Sequence, residues 1–129
     1  MMITADQLFC HAVGDYILQS DWMATEKTKR SIAALAHVAT YCLPFLLLSP
    51  SWMAMAVIVS THFVIDRWRL ARYVCWVKNF MGPKNPPFYE CAATGYDPDR
   101  PAWLAVWLMI IADNLMHVAI NAAALKYLP

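Results

Sequence analysis

From Ser31 to Ile65 the chain carries no aspartate, glutamate, lysine or arginine. A run of that length exceeds one bilayer crossing of about 20 apolar residues. Ser49-Pro50-Ser51 divides it into two halves, each of spanning length. The pattern predicts a tight helical hairpin with its turn on one side of a membrane, and Pro44 is expected to kink the first arm. Composition agrees. The chain is 60% apolar and 15% charged, with mean hydropathy +0.42, whereas an ordinary soluble domain is about half apolar and a quarter charged.

The remainder fits the same solvent. With 129 residues, one domain over 1–129 is expected. Thr4, with Gln7 three residues on, reads as a capping box opening a first helix. Its apolar run from Leu8 to Leu18 is interrupted by polar residues, and it continues through Trp22 toward Glu26. Lys27, Lys29 and Arg30 form a basic knot before the uncharged stretch, and Arg67, Arg69, Arg72 and Lys78 follow it. Met81 to Pro101 holds five of the eight prolines and two of the three glycines, which predicts a solvated loop. A last apolar helix follows. The expected architecture is all-α: an integral membrane bundle of about four helices over 4–26, 30–49, 51–80 and 101–126, with a loop over 81–101.

Both basic flanks belong on one side, which the positive-inside rule makes cytoplasmic. The first helix then places the N-terminus outside; it is short and polar enough to be re-entrant or interfacial instead. Trp52, Trp68, Trp76 and Trp103 fall near span ends, as interfacial anchors do. Arg67, Arg69 and Arg72 read as topology determinants and lipid-headgroup contacts. Cys10, Cys42, Cys75 and Cys91 form no C-x-x-C pair and read as packing residues. No basic region precedes the first apolar stretch, so no cleaved signal peptide is expected. Net charge is +1, without a basic arm or finger spacing, so nucleic acid is not an expected partner; membrane lipids are.

The chemistry lies in the histidines. All four fall within the expected apolar helices. Three have an aspartate four residues away: His11 with Asp15, His62 with Asp66, and Asp113 with His117. Chance placement would give about 0.4 such pairs. Residues four apart share a helix face, so each pair can aim a nitrogen and an oxygen at one ion. His37 stands alone on the second helix. Facing helices build metal sites in this way. The donor set His11, Asp15, His37, His62, Asp66, Asp113 and His117 exceeds one tetrahedral site and suits two ions sharing a carboxylate and a water. A charged aspartate at mid-membrane costs about 2.5–3.5 kcal/mol, and a divalent cation offsets that cost. Asp66, beside the basic residues, is expected nearer the interface. Gln7, Gln19, Thr40 and Asn121 extend the polar stripes and are expected to orient the ligands.

These motifs resemble the phage and bacterial membrane family known as domain of unknown function 3307. The resemblance rests on H-x-x-G-D-[FY]-x-x-Q at His11, Gly14, Asp15, Tyr16 and Gln19, then Trp22, then Lys27 or Lys29. It continues with His37, His62 and Asp66, and a late D-[QN]-x-x-H at Asp113, Asn114 and His117. It spans nearly the whole chain apart from 81–101. The chain is also distantly similar to LexA-regulated inner-membrane metal-dependent hydrolases.

The reading that follows is a membrane-embedded, metal-dependent hydrolase of a phosphoester, in a bacterial inner membrane. A metal-bound water of lowered pKa would be the nucleophile. Asp15, Asp66 or Gln19 would orient it, Arg69 would meet the phosphate, and the Pro-rich loop would move over the cytoplasmic mouth. The mixed imidazole and carboxylate donors favour zinc, with manganese or iron next. The alternative is a non-catalytic metal or proton site, serving transport or a phage's modification of its host membrane. Four histidines are too few for a membrane di-iron oxygenase, and no nucleophile elbow or phosphate loop is present.

Overall fold

The computed structural model describes residues 3–128; residues 1, 2 and 129 of the expected 1–129 domain lie outside them. Every regular element among the described residues is helical. The described residues form seven α-helices: α1 (Ala5–Ala12), α2 (Asp21–Glu26), α3 (Ser31–Cys42), α4 (Trp52–Trp68), α5 (Ala71–Lys78), α6 (Phe88–Cys91) and α7 (Ala102–Tyr127). They fall into two compact units, 3–68 with 117–128, and 69–116.

In the first unit, the helix expected over 4–26 is broken. Thr4 Oγ1 accepts from the Gln7 amide, but the Gln7 side chain donates to Val118 O at 2.8 Å instead of closing the capping box. The helix then widens into a π-turn over Val13–Ile17. Ser20, in extended conformation, starts α2 afresh by accepting from the Met23 amide. Helix α3 ends at Cys42, and Pro44 opens a tight 3-10 turn over Pro44–Leu48 where a kink was expected. Proline has no N–H for the α-helical ladder, so the chain tightens there. Ser49 takes a left-handed conformation (φ 49°) and the chain reverses. Ser51 Oγ then accepts from the Ala54 amide to cap α4. The hairpin of α3 on α4 is thus as the Ser-Pro-Ser signal implied.

The core of this unit is Cys10, Val38, Tyr41, Cys42, Phe45, Ala54, Ile58 and Ala124. Gly14 permits its tightest approach. A Cβ there would lie 2.5 Å from Tyr41 Cδ2 and 2.9 Å from Tyr41 O, so only glycine lets the π-turn close onto α3.

The helix expected over 51–80 is also broken, because Arg69 adopts φ 52°. A non-glycine residue in that region is disfavoured by about 1–2 kcal/mol. Within the second unit its guanidinium donates to Ala93 O at 2.7 Å. Arg72 donates to Ala92 O, Trp76 Nε1 to Pro86 O, and Asn79 to Gly95 O. The segment expected as a mobile, solvated loop is therefore clasped by side chains of α5 and its flanks. Cys75, Tyr96 and Ala105 form its small core. Gly95 (φ 84°) fits where a Cβ would meet Arg72 O at 2.1 Å. All four cysteines are free and buried.

Two of the helical stretches, Ser31–Leu48 and Ala102–Tyr127, are long and apolar enough to cross a membrane. Helix α7 leaves Trp103, Trp107, Ile111 and Leu115 half or more exposed.

Candidate metal centre

The first unit draws four of the expected donors on three helices, plus Asp15 on the π-turn, around one buried point. His37 and His62 are fully buried, and Asp15, Asp66 and His117 nearly so. The wider π-turn carries Asp15 toward α3. Such turns recur at functional sites because they re-aim a side chain without ending the helix.

The donor atoms form two groups of three: Asp15, His37 and His62; and His62, Asp66 and His117. In the first, Asp15 Oδ1 lies 3.2 Å from His37 Nε2 and 3.5 Å from His62 Nε2, and the two nitrogens are 3.0 Å apart. In the second, Asp66 Oδ2 lies 3.3 Å from His62 Nε2, and Asp66 Oδ1 lies 3.2 Å from His117 Nε2. Ligands on bonds of about 2.0–2.2 Å at tetrahedral angles stand about 3.3–3.6 Å apart. The spacing is close to that of a coordination shell, and it also lies within the range of His–Asp hydrogen bonds.

The donors also fit a cation chemically. Asp15 Oδ1 is buried and no N–H meets it at hydrogen-bonding geometry, although two imidazole nitrogens lie close. A buried acceptor without a donor is costly, and a cation removes that cost. The Nδ1 atoms of His37 and His62 have no hydrogen-bond partner either. Metal-bound imidazoles are usually held through that second nitrogen. Here ring packing does the holding. Tyr41 stacks on His62 at 3.7 Å between centroids, and His117 lies 4.1 Å from it on the same ring.

His11 stands outside both groups. Its Nδ1 pairs with Tyr41 Oη at 2.9 Å, while Asn121 donates to the same oxygen at 2.7 Å. Tyr41 Oη thus bridges Asn121 and His11. His11 Nε2 faces Asp15 Oδ2 at 3.5 Å. His11 is placed to orient Asp15. Asp113, four residues before His117 on α7, is half-buried in the second unit and belongs to neither group. Arg69 also belongs to the second unit, with its guanidinium on Ala93 O. Gln19 lies in the break before α2 with Oε1 buried and unpartnered. Thr40 donates to its own helix, at Ala36 O and His37 O.

Lysine 27 and tyrosine 41 complete the centre. Lys27 Nζ donates to Asp66 Oδ2 at 2.7 Å and lies 3.3 Å from His37 Nε2. Of the basic knot, Lys27 turns inward, whereas Lys29 pairs with Glu26 at the surface. Tyr41 is four residues after His37, so helical spacing alone could have placed it on the same face.

A family model described as a protein of unknown function, DUF3307, matches residues 3–128. The chain belongs to this family. The motifs at His11, Asp15, His37, His62, Asp66 and His117 are thus read within their family, and five of those six residues supply the donor groups. The match carries no information on the LexA-regulated inner-membrane hydrolases. Neither the curated proteins nor the solved structures compared with the chain contain a match.

Proposed function

We propose that this DUF3307 protein is a membrane-embedded metalloenzyme that hydrolyses a phosphoester. The observation that carries the reading is the pair of buried three-donor groups with mutual spacings of 3.0–3.5 Å. Three protein ligands leave a coordination position open, as catalytic sites do and structural sites do not. A metal held by these residues would supply a water-derived nucleophile near neutral pH. Asp15 or Asp66, whichever does not hold the ion, would accept the water's proton, and Gln19 would help orient it. Lys27, beside Asp66, adds a positive charge for a phosphoryl oxygen. Imidazole with carboxylate favours zinc, then manganese or iron.

The membrane setting is supported by the two spanning-length helices and by the exposed apolar side chains of α7. Exposed apolar surface of that extent calls for lipid or a partner. A multi-pass place in a bacterial inner membrane, with α4 as a further crossing, is part of the proposal.

A second reading is favoured by one observation: the donors are so enclosed that only Asp15 and Lys27 keep more than a trace of side-chain exposure, 11% and 18%. That suits a non-catalytic metal or proton site. Assays with phosphomonoester, phosphodiester and lipid-pyrophosphate substrates separate the two. The proposal expects zinc-loaded protein in detergent to turn over one class, chelation to stop it, and His37→Ala to abolish it. A fully loaded protein inert toward all three classes would leave the non-catalytic site standing.

A further inference from the structure

We infer that the centre is built for a single metal ion and that the Lys27 ammonium takes the place of a second. The inference rests on the metal-centre reading above and revises the two-ion arrangement that the donor count suggested.

The two donor groups share one residue. His62 Nε2 lies 3.0 Å from His37 Nε2, 3.5 Å from Asp15 Oδ1 and 3.3 Å from Asp66 Oδ2. That nitrogen has one in-plane lone pair, so it serves one ion. Once it binds with Asp15 and His37, the other group keeps only Asp66 and His117. Asp66 and His117 would need water to complete a second shell, so they can take up a second ion only where no other cation already neutralises Asp66.

Something else already neutralises Asp66. Lys27 Nζ reaches Asp66 Oδ2 at 2.7 Å, and Nζ lies beside His37 Nε2 at 3.3 Å. An ammonium has three donors and no lone pair. It cannot join a coordination shell while charged, but it can satisfy a carboxylate as a cation does. The charge count agrees. Asp15 and Asp66 contribute two negative charges and Lys27 one positive, so one divalent ion leaves the pocket at +1. A second would leave it at +3 with water largely excluded, where like charges repel strongly. A net +1 next to an open position also suits an anionic ligand such as a phosphate ester.

The chain connectivity makes Lys27 a fixed occupant. It follows α2 directly, at the C-cap, where its amide bonds to Met23 O. Arg67 ties the neighbouring connection down, with Nη1 donating to Thr28 O at 2.8 Å and Nε to Ser31 Oγ at 3.3 Å.

The test is stoichiometry. Detergent-purified full chain is equilibrated with excess zinc and desalted. Zinc per chain is then measured by elemental analysis for wild type, Lys27→Arg and Lys27→Met. Lys27→Arg keeps the charge; Lys27→Met keeps the apolar stem and removes it. The inference expects one equivalent in wild type and Lys27→Arg, two in Lys27→Met, and one again in Lys27→Met with His117→Ala. Circular dichroism checks folding, and Lys27→Gln replaces Lys27→Met if the latter loses helicity. Two equivalents in wild type, or one in both wild type and the uncharged variant, would overturn it. No zinc in wild type would instead remove the metal reading on which it stands.

Discussion

Gly14→Ala is the sharpest probe of how the centre is assembled. The added Cβ would sit 2.5 Å from Tyr41 Cδ2, 2.9 Å from Tyr41 O and 3.1 Å from Tyr41 Cα. A ring can rotate, but the carbonyl and Cα belong to the α3 backbone. Relief therefore requires the π-turn to retreat by about 0.5 Å or more, toward ordinary van der Waals contact. Asp15, the next residue, retreats with it, away from His37 at 3.2 Å and His62 at 3.5 Å. Metal sites tolerate about ±0.2 Å, so the expected loss of zinc affinity is about 10–100-fold. Overpacking should also lower stability by about 1–3 kcal/mol. The assay is competition against a chromophoric chelator, with thermal melts in the same detergent. Gly82→Ala is the control, since its nearest atom, Asn79 O, would lie at 3.4 Å. Wild-type affinity and stability in Gly14→Ala would refute the close approach of the π-turn to α3.

The other expectations concern single residues. His37→Ala should abolish tight zinc binding, whereas His11→Gln, which removes only the group orienting Asp15, should weaken it about 10–100-fold; equal losses by chelator competition would return His11 to the ligand set. Asp66→Asn should lower the melting temperature by several degrees, because it strands the Lys27 ammonium in a mostly buried place; adding Lys27→Met should restore part of the loss. Gly95→Ala and Arg72→Ala should expose 81–101 to proteolysis while zinc content stays at the wild-type level, as the clasp lies in the second unit. Zinc affinity should weaken as pH falls, because protons compete with the metal for imidazole and carboxylate lone pairs; an affinity independent of pH in chelator competition would exclude histidine ligands.

The parts of the fold that were legible in the sequence are those set by solvent and by turn chemistry. The uncharged run and Ser49-Pro50-Ser51 specify the α3–α4 hairpin, because lipid-like composition and a proline turn leave little choice. The breaks at Ser20 and Arg69 were missed for different reasons. Ser20-Asp21 is a readable N-cap signal that the polar stripe of Gln7, His11, Asp15 and Gln19 overrode. Arg69 gives no local signal, since its left-handed backbone goes with a tertiary bond to Ala93 O. At the site, the i,i+4 pairs pointed to Asp15, His62, Asp66 and His117, whose side chains the structure brings together with His37. The same rule placed His11 and Asp113 with them, since spacing shows which face a residue occupies but not which partner it meets. Lys27 was hidden by its neighbours: in a run of basic residues, one that turns inward looks like the rest.

X-ray absorption at the zinc edge of reconstituted wild-type protein tests the central claim most directly. The account expects a first shell of nitrogen and oxygen at about 2.0–2.2 Å, with the outer-shell pattern of at least two imidazoles, lost in His37→Ala. Sulfur scatterers from the cysteines, a hydrated ion without imidazole signature, or no zinc retained after desalting would contradict it.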